Sequence, residues 1–294
     1  MLSLLGQTSP NRPKPDPPIK CDSCVEWNEP REPFKIFGNT YYVGVGGLSS
    51  VLIVSDAGLI LVDGALPQSV PLIDAGIRTL GFKTEDIKLI LNGHTHYDHA
   101  GGLSALQRFT GARVATGTAG VRALELGKPT PDDPQVAFPN NEFPRVANVH
   151  GVRDGEVLRV GNVAVTAHAT PGHTPGGTTW SWRSCEGPRC LSVVYADSVT
   201  AISAPGYKFT GDATHPSIVD SFHRSITRLR ELPCDIMIGA HPSVSDLDGK
   251  LKRRAENPNG PNPFIDPGAC RALAAKALTG LDERVAEETG KKKN

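Results

Sequence analysis

The chain has 294 residues, and its 31 basic side chains balance 31 acidic ones for a formal net charge of zero. A chain this long buries enough surface for one large α/β domain and needs no metal merely to fold. The balanced charge offers no long-range field for nucleic acid or an anionic membrane, and no apolar run reaches the ~20 residues that span a bilayer.

The first 33 residues are rich in proline and charge and read as an irregular N-terminal arm. Residues 1–6 lack a basic flank, and their apolar stretch is too short for an intact export signal. From Phe34 the texture changes, which sets a single domain over 34–294. Residues 34–37, 40–45, 50–55 and 59–63 read as a strand meander, broken at Gly38-Asn39, Gly46-Gly47 and residues 56–58. Residues 69–80 carry apolar side chains at Val70, Ile73, Ile77 and Leu80, a helical period. A buried strand follows at 87–91, then a helix over 100–109 and a strand over 112–115. Residues 127–147 hold five prolines and no period, so they read as a long loop. Two strands lie around Gly161-Asn162, and residues 178–182 and 191–196 form a hairpin with Cys185 and Cys190 flanking its turn. Residues 218–232 read as a helix with Ser217 as N-cap, 235–239 as a strand, and 269–288 as one or two helices. Lys291, Lys292 and Lys293 read as a solvated tail.

The six cysteines fall into three plausible pairs: Cys21 with Cys24, Cys185 with Cys190, and Cys234 with Cys270. Other connectivities exist, and Cys21-x-x-Cys24 also fits a metal or redox pair, although no second Cys-x-x-Cys completes a zinc site. Disulfides imply an oxidising compartment, which makes the chain periplasmic or secreted.

The chemistry is concentrated at His94-x-His96-x-Asp98-His99, directly after the buried strand at 87–91. His94 and His96 stand at i and i+2, so an extended segment turns both rings the same way. Four ligand-type side chains in six residues can serve two metals about 3.5–4 Å apart, and imidazole with carboxylate suits zinc. Histidine is scarce, with nine in the chain, so the cluster stands out from a merely solvated loop. Two more candidates end predicted strands or sit in rigid turns: His173, in a Thr-Pro-Gly-His-Thr-Pro-Gly stretch, and His241, before Pro242. His150, His168, His215 and His223 lack such settings and read as ordinary surface or packing residues.

This set resembles the metallo-β-lactamase superfamily over residues 27–270. The resemblance implies a four-layer αβ/βα sandwich with two zinc ions in a groove at one edge of the sheets. It implies His94, His96 and His173 on the first zinc and Asp98, His99 and His241 on the second. Within the superfamily the chain is most similar to subclass B3. The second site has His99 in place of a cysteine, and the stretch Ala196-Asp197-Ser198 with Ser203 to Tyr207 resembles the B3 segment after the third ligand. The Cys234–Cys270 pairing resembles a B3 disulfide. The B3 likeness implies that Ser198 and Thr200 hold a substrate carboxylate, where lactonases and glyoxalase II carry an aspartate that bridges the metals; Asp197 is one residue away from that position.

What the resemblance implies is hydrolysis of the β-lactam amide bond of penicillins, cephalosporins and carbapenems by a zinc-bound hydroxide, with Asp98 ligating the second zinc and orienting the nucleophile. Trp27 on the arm, and Phe138 and Phe143 on the long loop, are the candidate groove walls. The same ligands also serve lactonases, glyoxalase II-like thioesterases and iron-dependent sulfur dioxygenases, so fold alone does not fix the reaction. A non-catalytic zinc scaffold needs only four ligands and no open position, fewer than this set supplies.

Overall fold

A computed structural model describes residues 11–290; the leading residues 1–10 and the tail lysines Lys291 to Lys293 lie outside them. The elements, in order, are α1 (Cys24–Trp27), β1 (Phe34–Phe37), β2 (Thr40–Tyr42), β3 (Val51–Ser55), β4 (Gly58–Val62), α2 (Val70–Thr79), β5 (Ile87–Leu91), α3 (Tyr97–Ala100), α4 (Leu103–Thr110), β6 (Arg113–Gly117), α5 (Val121–Leu126) and β7 (His150–Val152). They continue with β8 (Val157–Val160), β9 (Val163–Ala169), β10 (Thr178–Glu186), β11 (Arg189–Ala196), α6 (Val219–Glu231), β12 (Ile236–Gly239), α7 (Leu247–Glu256) and α8 (Ala269–Glu288).

Strands β1 to β7 form one sheet in sequence order, and β12-β11-β10-β9-β8 form the second. Strand alternation explains why there are four layers. On β3, Val51 and Ile53 face the second sheet while Leu52 faces outward; on β11, Val193 and Tyr195 face inward while Val194 and Ala196 face outward. Each sheet is therefore apolar on both faces. The inner faces close on each other around Trp180 and Trp182. The outer face of the first sheet takes α2 and α4 through Val70, Ile73, Ile77, Leu103 and Leu106. The outer face of the second takes α6 and α8 through Phe222, Ile226, Leu229, Ala274 and Leu281, and Cys234–Cys270 bridges the start of α8 to the segment before β12. This is the expected αβ/βα sandwich.

The crossovers β4–α2–β5 and β11–α6–β12 make parallel pairs, so these four strands deliver their carboxyl ends to one edge, where ligands bind in open α/β sheets. Between α3 and α4 the chain passes Gly101 and Gly102, so the expected helix is split in two. A Cβ on Gly102 would lie 2.2 Å from the carbonyl of Gly64, so only glycine permits that approach. The arm lies along α2 and α4: Gln68 exchanges two hydrogen bonds with the backbone of Ile19, and Asp16 pairs with Arg108 at 3.0 Å.

Other details refine the sequence expectation. Cys185 and Cys190 flank the turn as expected, and because β10 and β11 run on to Glu186 and Arg189 they are also cross-strand partners, joined by a disulfide. Ser217 stands one residue outside the helix start, where Ile218 is the N-cap, and its hydroxyl accepts from the Val219 amide at 3.4 Å. Residues 269–288 are one helix. Cys21 and Cys24 form a disulfide across the turn that leads into α1, which sets aside the metal reading of that pair.

Candidate metal centre

Four of the six ligand candidates, His94, His96, His173 and His241, are fixed by a hydrogen-bonding partner on the far side of the ring. Asp63 ends β4 in a left-handed conformation, φ 57°. Its Oδ1 accepts from the Gly93 amide at 2.7 Å and from Asn92 Nδ2 at 3.0 Å, while Tyr195 donates to its Oδ2 at 2.7 Å. The carboxylate thereby holds the turn after β5. His94 contacts Asp197 Oδ1 through Nδ1 at 2.7 Å, which leaves Nε2 free. His173 donates from Nδ1 to the Thr200 carbonyl at 2.9 Å, again leaving Nε2 clear of that bond. His96 faces Asp133 Oδ1 with Nε2 at 3.2 Å, and Asp133 is itself fixed by the Gln135 amide at 2.7 Å; Nδ1 of His96 is the free nitrogen. His241 donates from Nδ1 to the Gly47 carbonyl at 3.0 Å.

The three rings of His94, His96 and His173 have centroids 4.9, 4.9 and 5.0 Å apart and meet at 87°, 83° and 70°. They surround one point from three nearly perpendicular directions, with donor atoms within 4.8 Å of one another. Beside them, Asp98 Oδ2 lies 3.2 Å from His99 Nε2 and 3.4 Å from His241 Nε2, and those two nitrogens are 3.3 Å apart. A tetrahedral cation with bonds of 2.0–2.2 Å has ligand–ligand edges of about 3.3–3.6 Å. The second trio therefore has the spacing of one coordination face. His94, Asp98 and His99 also converge within 4.8 Å, so the two trios adjoin, and the donors present fit a pair of metals.

Electrostatics acts on these side chains in different directions. Burial, with His96 beside it, pushes His173 down to about 3, so its ring is neutral. Burial also carries His94 well below its ordinary value. Burial favours a neutral Asp98, yet His99 and His241 outweigh it and hold the carboxyl well below the usual range. For His99 burial acts downward, and Asp98 and Asp63 overcome it to bring the ring up to about 10.

The site sits on the floor of a groove, part of a cavity of about 1040 Å³, with Trp27, Phe138, Ser198 and Thr200 in its walls. Trp27 lies against His241, centroids 5.4 Å apart. Thr200 turns out to serve His173 as well, with its hydroxyl 3.1 Å from Nδ1. Phe143 is a correction. It is 6 % exposed and packs into the core with residues of α4 and α5, while Phe138 lines the groove. His150, His168, His215 and His223 lie elsewhere, against Glu156, Ser181, Tyr207 and Asp282. Sequence reasoning missed Asp63, Asp133 and Gln135. A carboxylate at a strand end, as Asp63 is in Leu-Val-Asp, was the available signal.

The comparisons agree with this geometry. The family model for the metallo-β-lactamase superfamily matches residues 43–187. The Rm3 metallo-β-lactamase is 50% identical, with 92% of this chain and 99% of that chain covered and a TM-score of 0.88. MEM-A1, a subclass B3 metallo-β-lactamase from a soil metagenome library, is 47% identical, with 90% of this chain and all of that chain covered, 100%, and a TM-score of 0.86. This chain belongs to the subclass B3 metallo-β-lactamases. A hydroxyacylglutathione hydrolase of Rhodopseudomonas palustris is 28% identical over 173 residues, 58% of this chain and 53% of that protein, so the chain spans about half the length of that curated relative. In this metallo-β-lactamase Asp197 does not reach between the two trios. It is buried, 1% exposed, and binds the far nitrogen of His94, so Ser198 faces the groove in its place.

Proposed function

We propose that this chain is a two-zinc hydrolase that opens the amide bond of β-lactams, penicillins, cephalosporins and carbapenems alike, in the periplasm or outside the cell. The observation that carries the reading is the pair of adjoining donor trios, with Asp197 drawn off behind His94 and a serine left at the groove. The first trio, His94, His96 and His173, would hold one zinc, and Asp98, His99 and His241 the other. Bound zinc supplies Lewis acidity and lowers the pKa of water toward ~7.

The chain's own residues supply the rest. Asp98, kept ionised by its histidines, presents a carboxylate that can accept a hydrogen bond from the attacking water and so aim its lone pair at the lactam carbonyl. The Ser198 hydroxyl and that of Thr200 donate to the substrate carboxylate, placing the ring over the two trios. Trp27 and Phe138 cover the apolar side chain and exclude water from it. No serine nucleophile is required. The three disulfides support an oxidising compartment.

The test is hydrolysis of a chromogenic cephalosporin and of a carbapenem, with and without a chelator, beside metal analysis. Chelator-sensitive turnover with about two zincs per chain supports the reading. Two zincs without turnover redirect it to lactones and thioesters, and iron redirects it to sulfur oxidation. Asp98→Ala should lower kcat by at least about a hundredfold and lose one metal per chain; near-normal turnover would sink the role given to Asp98.

A further inference from the structure

The cavity does not end at the metal centre. It runs on between the turn after His241, α7 and one flank of α8, where Met237, Leu273, Ala269 and Ala277 line it together with Lys250. None of these residues belongs to the ligand sets or to the groove walls described above. The positions on α8 follow a helical stripe, with Ala272, Lys276 and Gly280 on its open side. Ile202 and Val244, both large apolar residues left exposed at 52% and 39%, stand in the same walls.

Lys250 is the anomaly. It is 4% exposed, and among the described residues no hydrogen bond or ion pair holds its ammonium. The nearby acids are engaged elsewhere: Asp246 Oδ2 accepts from Arg253 at 2.9 Å, and Asp266 Oδ1 accepts from the Gly268 amide at 3.0 Å. Burial pulls the ammonium below its ordinary value, against the opposite pull of Asp266 and Asp246. Lysine is seldom buried unless paired, and here the stem is buried while the residue lines the cavity. Lys250 lines an open lobe whose walls are apolar at Met237, Leu273 and the alanines of α8 and charged at Asp246, Arg253 and Asp266 on its rim.

We infer that this far lobe binds a small amphipathic carboxylate, with its anionic head on Lys250 Nζ and its apolar body against Met237 and Leu273. A single ammonium matches a monoanion, and the apolar lining favours an aryl or alkyl body over a bare inorganic anion. The site is separate from the metal centre and does not depend on which bond the metals cleave.

The probe is 4-phenylbutyrate, titrated by calorimetry into the zinc-loaded protein, with 4-phenylbutanol as its uncharged counterpart. The wild type should bind the acid about tenfold or more tightly than the alcohol, the ratio expected for one charge-assisted hydrogen bond. Lys250→Met should erase that ratio while leaving cephalosporin turnover within about twofold. Ala272→Trp, on an exposed position of the lobe, should block the acid without touching the core, which keeps the test open if the lysine variant fails to fold. Equal affinity for acid and alcohol overturns the inference. So does acid binding that persists in both variants and competes with substrate, since the carboxylate is then on the metals. Protection of the wild type by inorganic phosphate as strong as that by 4-phenylbutyrate overturns the apolar half of the assignment.

Discussion

Tyr195→Phe removes one atom from a buried network and tests how the ligand turn is held. Tyr195 is fully buried. Burial, with Asp63 beside it, keeps its phenol well above the ordinary value, so it stays a donor at every working pH. Its hydroxyl lies 2.7 Å from Asp63 Oδ2 and 3.2 Å from the Ser49 carbonyl. Losing a hydrogen bond to a charged group costs about 1.5–3 kcal/mol. At roughly 2.1 cal/mol/K per residue over 294 residues, each kcal/mol moves Tm by about 1.6 °C, so the metal-free variant should melt about 2.5–5 °C lower. Asp63 also fixes Asn92 and Gly93, the two residues that lead into His94. Loosening it should weaken zinc binding by about 10–100-fold, the usual cost of disturbing a residue behind a metal ligand. The assays are calorimetric melting of the chelator-dialysed protein and zinc competition against a chromophoric chelator. An unchanged metal-free Tm with unchanged zinc affinity would refute the claim that Asp63 holds the turn.

Three further expectations follow from the packing. Phe138→Ala should raise KM several-fold with kcat kept, whereas Phe143→Ala should leave KM alone and cost about 3–5 kcal/mol in denaturant unfolding; a KM effect from Phe143 would contradict its burial. Replacing Cys234 and Cys270 by serine opens a loop of sequence separation 36 and should cost about 3–4 kcal/mol, against about 2 kcal/mol for the pair Cys21 and Cys24, separated by 3; equal losses would show that loop closure is not the source. For Glu288, burial favours the neutral acid, but the Thr210 amide and hydroxyl, Arg284 and the Phe209 amide together hold it below its ordinary value. A depressed folded pKa means its contribution is present above the unfolded value near 4.5 and is lost as pH falls through the folded one. Glu288→Gln should therefore be less stable than wild type at neutral pH, with the gap closing in acid; a gap that is constant with pH would refute the linkage.

The strands and the six ligand candidates were legible because each signal is local. Histidine is scarce, and His94, His96, His99 and His241 all follow apolar runs that can only be buried strands. The helices α2 and α6 announce themselves by apolar period. Features that depend on distant parts of the chain were not legible. Asp63 and Tyr195 lie 132 positions apart and meet only because β4 and β11 face each other across the inner core. Phe138 and Phe143 stand in a loop with no period, so nothing in the sequence says which ring turns inward. The polar ends of β10 and β11 carry no apolar alternation, which hid the cross-strand placement of Cys185 and Cys190. Helix α7 is polar, with Leu247 and Lys250 its buried positions, and left no pattern to read.

His94, His96, Asp98 and His99 descend from the first sheet, and His173 and His241 from the second. A cation held by both sets is a clasp between two halves that otherwise meet through apolar packing and a few polar contacts such as Tyr195 to Asp63 and Trp182 to Thr40, so parting the halves also parts the ligands. With zinc in both proposed sites, its free concentration enters the folding equilibrium itself: well above Kd, each tenfold fall in supply would withdraw about 1.4 kcal/mol per site. A host that starves this chain of zinc would do more than silence its groove. It would shorten the lifetime of the folded protein and hand it to the proteases that clear opened chains.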